Sequence, residues 1–265
     1  MINSATINVM IGAARKAGRA LVRDFGEVEQ LQVSMKGPAD FVTNADLKAE
    51  KTLIYELMKA RPDYGMVAEE SGVVHGADTR HHWIIDPLDG TLNFMHGLPH
   101  FAISIGLERA GEIVAGVVYQ PLSDECYAAE KGQGAYLNSR RMRVSGRRDL
   151  AQAMLATGIP YHGRPGHERF LREMAAIMPQ VAGVRRLGSA ALDLAYVAAG
   201  KFDGFWENDL QPWDIAAGIL LVREAGGFVT EIGGGERMLE TGGVLAANAH
   251  LHGAIGDLLA PLARG

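Results

Sequence analysis

The stretch Trp83-Ile84-Ile85-Asp86-Pro87-Leu88-Asp89-Gly90-Thr91 sets two aspartates three residues apart at the end of an apolar run. Pro87 steers Asp86 away from helical backbone and Gly90 permits a tight bend, so the spacing predicts a strand that ends at Asp86 in a turn from which both carboxylates project. The N–H groups of Gly90 and Thr91 would face an anion if a helix starts at Thr91. Other acids can join the pair: Glu69-Glu70 in MVAEES, Asp46 in TNADLKAE, and Asp214 in PWDIAAGILLVREAGG. Two carboxylates about 4 Å apart repel by roughly 4 kcal/mol at an effective dielectric near ~20, so four or five in one place need counter-charge. Divalent cations supply it. An all-oxygen set with no cysteine or histidine at metal spacing favours Mg²⁺ or Mn²⁺ over Zn²⁺, and two such ions beside amide donors suit the attack of water on a phosphoryl group.

These residues need elements to hold them. Ile7, Ile11, Ala14, Gly18, Leu21 and Phe25 follow helical spacing and predict an amphipathic first helix. A second helix starts at a Thr43 cap with Asp46 three residues on, takes Leu47, Ile54, Leu57 and Met58 as its apolar side, and stops before Pro62. From Trp83 the period changes. Short strand-like runs at 83–86, 101–107, 113–119, 126–130 and 135–137, separated by turn signals, predict an antiparallel meander. After about residue 150 strands and helices alternate: strands at 154–157, 184–187, 202–206, 228–231 and 244–247, and helices through Phe170 and Met174, over 189–199, over 212–225 and at the end. The fold class is therefore α/β, one unit over 1–265 with a seam near residue 150: helices plus an antiparallel sheet in 1–150 and an α/β half in 151–265.

The gross numbers narrow the function. With 265 residues, 48% hydrophobic and 22% charged, the chain can bury a large core, and its net charge of −5 argues against a dedicated nucleic-acid binder. Cys126 is the sole cysteine, which rules out an internal disulfide and points to a reducing compartment. No apolar run approaches the ~20 residues of a membrane span, and no secretory pattern opens the chain. The expected location is the cytoplasm, with no membrane partner.

The segments WIIDPLDGTLNFMHGLPHFAISIGL, MVAEES and QPWDIAAGILLVREAGG resemble the signatures of the inositol monophosphatase family, and GSAALDLAYVAAGKFDGFWE is similar to its bacterial branch. The likeness runs in order from DFVTNADLKAEKTL to GGVLAAN. It implies an α/β/α/β sandwich, usually a homodimer, that hydrolyses phosphate monoesters with two or three Mg²⁺ ions and is sensitive to lithium. By that resemblance Glu69, Asp86 and the carbonyl of Leu88 hold the first metal, Asp86, Asp89 and Asp214 the second, and Glu69 faces a third. Asp46 and Thr91 orient and deprotonate the attacking water, and the amides of Gly90 and Thr91 hold phosphate. Gly188, Ser189, Ala190 and Glu207, with Asp89, line the alcohol, for which myo-inositol is the first expectation. Related enzymes act on fructose 1,6-bisphosphate, NADP, histidinol phosphate or 3'-phosphoadenylate, and some bacterial relatives are partners of the transcription machinery. The chain departs from the family at Asn208-Asp209, where a glycine is common in the second place, and at Gln211, where a basic residue is common. An extra carboxylate there is expected to weaken ester binding or change the preferred alcohol.

Other reactive residue types read more plainly. His81 and His82 point to opposite faces of a strand and are expected at the surface, while His96 and His100 flank a Gly-Leu-Pro loop in packing or solvent roles. Cys126 is expected to be a small buried apolar residue without a nucleophilic role. Lys36 resembles a family loop lysine near the active site. Arg140, Arg141, Arg143, Arg147 and Arg148 form a basic patch on a hairpin edge, the place where RNA or protein would make contact.

Overall fold

The computed structural model describes residues 4–27, 33–37 and 40–262. Helix α1 (Ala5–Phe25) is capped by Ser4, whose hydroxyl accepts the Ile7 N–H at 3.1 Å, and it buries Ile7, Met10, Ala14, Ala17 and Leu21. A hairpin of β1 (Val33–Gly37) and β2 (Asp40–Thr43) leads into α2 (Asn44–Ala60), which starts in the expected Thr43–Asp46 capping box. The two helices pack together. The buried side of α2 includes the expected Leu57, with Ile54 and Met58 packed against the core, but it differs from the sequence reading at Leu47, which is 49% exposed, while Ala49 and Leu53 face inward. The helix is rotated so that Asp46 and Glu50, at 46, 50, 53 and 57 spacing, share the inner face.

Helices α1 and α2 cover one face of an eight-stranded sheet built from β3 (Tyr64–Ala68), β4 (Gly72–Val74), β5 (Asp78–Asp89), β6 (Ala102–Arg109), β7 (Glu112–Gln120), β8 (Glu125–Glu130), β9 (Gly134–Leu137) and β10 (Arg140–Arg141). Its order is β10-β9-β8-β7-β6-β5-β3-β4, so β5 to β10 are the expected meander, whereas β3 and β4 were not foreseen and β3 lies parallel to β5. The strand expected to end at Asp86 continues to Asp89. Asp86 pairs with Ser104 and Asp89 with Ala102, so one strand carries an extra residue there. That bulge accommodates Pro87, which has no N–H for the ladder. The chain turns only at Gly90, whose φ of 97° suits glycine, and where a Cβ would press to 3.0 Å from the His100 carbonyl. A short helix, α3 (Thr91–Met95), follows.

The second sheet comprises β11 (Met154–Thr157), β12 (Gly183–Arg185), β13 (Gly204–Glu207), β14 (Phe228–Thr230) and β15 (Val244–Ala247) in the order β12-β11-β13-β15-β14. Between them run α4 (His167–Ile177), α5 (Ala190–Ala198), α6 (Pro212–Glu224) and α7 (Met238–Thr241), and α8 (His252–Leu259) follows the last strand. Strand alternation divides the core. Phe205 and Ala246 pack toward α5 and α6, while Trp206 and Leu245 pack toward α4 and α8. Helices α5 and α6 lie between the two sheets, giving the expected α/β/α/β layering with α4 and α8 on the far side of the second sheet. One apolar cluster joins Ala102, Val118 and Tyr127 of the first sheet to Leu192, Leu221, Phe205 and Val244 across residue 150. Among the described residues no helix is long and apolar enough to cross a membrane.

A buried carboxylate ties the chain around that seam. Asp203, 3% exposed, accepts from the Ser145 hydroxyl at 2.6 Å, Arg147 Nε at 3.0 Å and the Met154 N–H at 2.8 Å. Asn248 Nδ2 adds donations to Ser145 Oγ at 3.0 Å and to the Arg147 carbonyl at 2.9 Å. Arg147 is therefore a structural partner and not a free member of the arginine patch. Asp203→Ala leaves these donors unpaired and should lower the unfolding free energy by about 3 kcal/mol in urea melts. A loss below about 1 kcal/mol would show that the network is redundant.

Candidate active site

The sequence-predicted acids arrive from separate elements. Asp46 stands in the first turn of α2, Asp86 and Asp89 at the bulged end of β5, and Asp214 in the first turn of α6. Glu69 follows β3, and its N–H donates to the Ile85 carbonyl at 3.2 Å, which sets it beside β5. Glu69, Asp86, Leu88, Asp89, Gly90, Thr91, Gly188, Ser189, Ala190, Glu207 and Asp214 line one cleft of about 950 Å³, open to solvent. Asp46, fully buried, lies behind it. Its Oδ1 accepts from the Thr91 hydroxyl at 3.0 Å, and that hydroxyl also lies 3.0 Å from the Leu88 carbonyl.

Each aspartate has one carboxylate oxygen engaged by the scaffold. Asp46 Oδ2 accepts the Thr43 N–H at 2.9 Å and hydroxyl at 2.5 Å, and Asp86 Oδ1 accepts the Leu88 N–H at 2.8 Å. Asp89 Oδ2 accepts from Ser189 Oγ at 2.6 Å and the Ala191 N–H at 2.7 Å, at the start of α5. Asp214 Oδ2 accepts the Gln211 N–H at 2.8 Å, so Gln211 serves as the helix cap. The second oxygens of Asp86, Asp89 and Asp214 are what these side chains can offer to a ligand.

Their charges conflict. Desolvation first, then the charges of Glu69, Asp89 and Asp214, holds the Asp86 carboxyl well above the usual range. Desolvation and then Asp89 do the same to Asp214, against the Gln211 hydrogen bond. Asp89 rises to about 6, mainly by desolvation and despite its bonds to Ser189 and Ala191. Asp46 is also raised by burial, against the donations from Thr43 and Thr91. Among the described residues no ion pair with a basic side chain compensates Asp86, Asp89 or Asp214. Nor do three of the acids close to ligand distance around one point. The fit to a metal thus rests on donor chemistry: oxygen-only, buried and mutually repelling groups suit hard divalent cations.

The other end of the cleft is built around Glu207, which desolvation and then the charge of Asp89 raise to about 8, eased by Arg186 and Arg164. Gly158 lies against it, and a Cβ there would overlap the Glu207 carboxylate and force that side chain to move. Gly158, Arg164, Arg186 and Asp193 also line this end and were not foreseen. Only Asp193 had a visible signal, as the one charged residue in the otherwise apolar run AALDLAYVAA. Asp209 lies in an adjoining chamber of about 410 Å³, with its carboxylate accepting Arg169 Nη2 at 2.6 Å and its carbonyl accepting Arg164 Nη1 at 3.0 Å. Its φ of 62° accounts for glycine as the common choice there.

The remaining candidates sit elsewhere. His81 is held between Asp78, at 2.7 Å from Nδ1, and the Tyr64 ring, stacked at 4.5 Å, so it is not the solvated residue expected. His82 is half-buried and His96 exposed. His100 packs edge-on to Tyr196, and burial lowers its pKa to about 4, which suits a packing role. Cys126 is buried with its thiol pushed up to about 11, which disfavours a nucleophile. Lys36 belongs to β1, but its side chain lies outside the described residues. Arg140, Arg141 and Arg143 are exposed.

Two halves of one chain thus assemble an acidic cleft backed by a Thr–Asp pair, the layout of a phosphoric monoester hydrolase. The sequence model of the inositol monophosphatase family matches residues 3–264, and the chain belongs to that family. It is 56% identical over 259 residues to the inositol-1-monophosphatase of Rhizobium meliloti (strain 1021), covering 98% of this chain and 97% of that one. It is 46% identical to the Nus factor SuhB of Escherichia coli (strain K12), over 91% of each chain. The crystal structure of extragenic suppressor protein suhB from Bartonella henselae superposes with a TM-score of 0.95 at 56% identity, over 97% of this chain and 98% of that one.

The raised carboxyls make stability depend on pH. Glu207, raised from 4.5 to about 8, and Asp89, raised from 3.8 to about 6, bind protons more tightly folded than unfolded. The stability they contribute is complete below the unfolded values and is lost as pH rises through the folded ones. Metal-free protein should therefore melt at a lower temperature at about pH 8.5 than at about pH 6, and Mg²⁺ should raise the midpoint more at the higher pH. A metal-free midpoint that climbs over this interval contradicts the charge map.

Proposed function

We propose that the chain hydrolyses myo-inositol monophosphate to inositol and phosphate in a Mg²⁺-dependent reaction. The observation that carries this reading is the convergence of Glu69, Asp86, Asp89 and Asp214 on one cleft in front of the Thr91–Asp46 pair. The name of the Rhizobium relative supports the substrate. Glu69, Asp86 and the Leu88 carbonyl would hold one ion, Asp86, Asp89 and Asp214 a second, and Glu69 a third, with Mn²⁺ as a possible substitute. When bound, such ions supply Lewis acidity toward water and the leaving oxygen.

The chain's own residues do the rest. Thr91 Oγ1 orients a water and passes its proton toward Asp46, whose carboxylate is held in place by Thr43 and made more basic by burial. The N–H groups of Gly90 and Thr91, at the start of α3, face the phosphate, and no covalent intermediate is needed. Gly188, Ser189, Ala190 and Glu207, together with Asp89, form the alcohol side. We further read residues 1–265 as a single inositol-monophosphatase-like domain, working as a lithium-sensitive cytoplasmic homodimer. A related sugar or nucleotide phosphatase is the alternative, and a panel of phosphate esters with Mg²⁺ separates the two.

A second reading follows from the relative named as a Nus factor. Arg140, Arg141 and Arg143 stand exposed at and just after edge strand β10, where a partner in the transcription machinery can reach them. Replacing all three by serine should abolish salt-sensitive retention on transcription complexes and leave kcat/KM unchanged. Retention unaffected by the substitutions would remove the patch from this role.

For the main reading, EDTA should abolish activity, Mg²⁺ should restore it, and Ca²⁺ should inhibit because its looser geometry misplaces the reacting groups. Asp86→Asn keeps shape but removes a charge shared by two cations, so hydrolysis of every ester should fall by at least ~100-fold. Full activity in excess EDTA, or an Asp86→Asn enzyme near wild type, would overturn the assignment.

A further inference from the structure

Among the described residues the buried acids have donors, with one exception. Glu50 accepts from the Glu70 N–H at 2.8 Å and from the Ser71 hydroxyl, while Glu173 accepts from Trp206 Nε1 at 3.1 Å and Asn208 Nδ2 at 3.0 Å. Asp203 has the three donors described above. Asp193 is 1% exposed, yet among the described residues its Oδ1 is buried without any hydrogen-bond partner. Its helix neighbours Leu192 and Leu194 belong to the central apolar cluster, whereas Asp193 lines the cleft. There, at the end built around Glu207, it feels the charges of Glu207 and Asp89 and the opposing charge of Arg186.

We propose that Asp193 is a specificity-determining residue of the alcohol pocket, supplying with Oδ1 a second acceptor beside Glu207 for the hydroxyls of a polyol phosphate. The inference rests on the phosphatase reading given above and narrows its substrate class to esters of alcohols with at least two further hydroxyls. A single acceptor leaves a ring free to pivot about one hydrogen bond. Acceptors on different elements, Asp193 on α5 and Glu207 on β13, fix its plane and face. An acceptor left unpaired in the free protein also penalises alcohols that bring no hydroxyl to it, since binding them keeps it unpaired.

The test compares kcat/KM for myo-inositol 1-phosphate, a sugar phosphate and an aryl phosphate in the wild type, Asp193→Asn and Asp193→Leu, with melting temperatures alongside. Asp193→Leu should lower the polyol-to-aryl ratio at least ~10-fold, with the polyol loss mainly in KM. Asp193→Asn keeps a carbonyl acceptor and should retain most of the ratio. The leucine variant should melt no lower than wild type, because it removes an unpaired buried oxygen. A ratio within about twofold of wild type in Asp193→Leu, or equal losses on all esters, overturns the proposal. A wild type that prefers the sugar phosphate, with that preference erased in Asp193→Leu, keeps Asp193 in its role and discards the inositol assignment. A wild type with no preference for either polyol ester discards both.

Discussion

Repulsion among Glu69, Asp86, Asp89 and Asp214 is the constraint around which this fold is organised. Like charges in a buried cleft drive their own protonation or separation, and here the backbone prevents the separation, so the carboxyls hold their protons more tightly. The acids are carried by a loop after one strand, the end of the longest strand and the first turn of a helix between the sheets. Donors from Leu88, Ser189, Ala191 and Gln211 each hold one oxygen. The result is an array whose electrostatic stress a hard cation would relieve, and the backbone that imposes the stress also preserves the spacing.

The layered architecture follows from that need for rigidity. Helix α6 carries Asp214 and packs on the first sheet, touching both β5, which carries Asp86 and Asp89, and β7, where a Cβ at Gly116 would lie 2.9 Å from the Ala217 carbonyl. Helix α5 brings Ser189 and Ala191 to Asp89 while its apolar side fills the space between the sheets. One central layer therefore does two things. It supplies core, and it aligns the first half of the chain with the second.

Much of this was legible in the sequence because local rules and global fold agree. The Thr43–Asp46 box, the meander after Trp83 and the proline-led start of α6 all use short-range chemistry. What stayed hidden depends on distant partners. The parallel pairing of β3 with β5 leaves no local signal, and the rotation of α2 that exposes Leu47 becomes explicable only once Asp46 has met Thr91. Arg147 looked like part of a charged edge until Asp203, far along the chain, supplied its partner. Gly158 could not be singled out without the Glu207 carboxylate lying against it. Asp193 was visible as a polar interruption, but its meaning came from the donors it lacks.

The extra residue in β5 settles a matter of parity. Side chains alternate along a regular strand, so residues 86 and 89, three apart, would point to opposite faces of the sheet. Asp86 is opposite Ser104 and Asp89 is opposite Ala102, and those two partners, an even step apart, share a face. The bulge changes an odd interval into an effectively even one and turns both carboxylates the same way. The same three-residue interval without the bulge would leave a well-paired hairpin with a single acid in the cleft. The proline in that interval, unable to join the ladder, acts as a lock on the count: it keeps the strand from slipping into the regular register that would separate the pair.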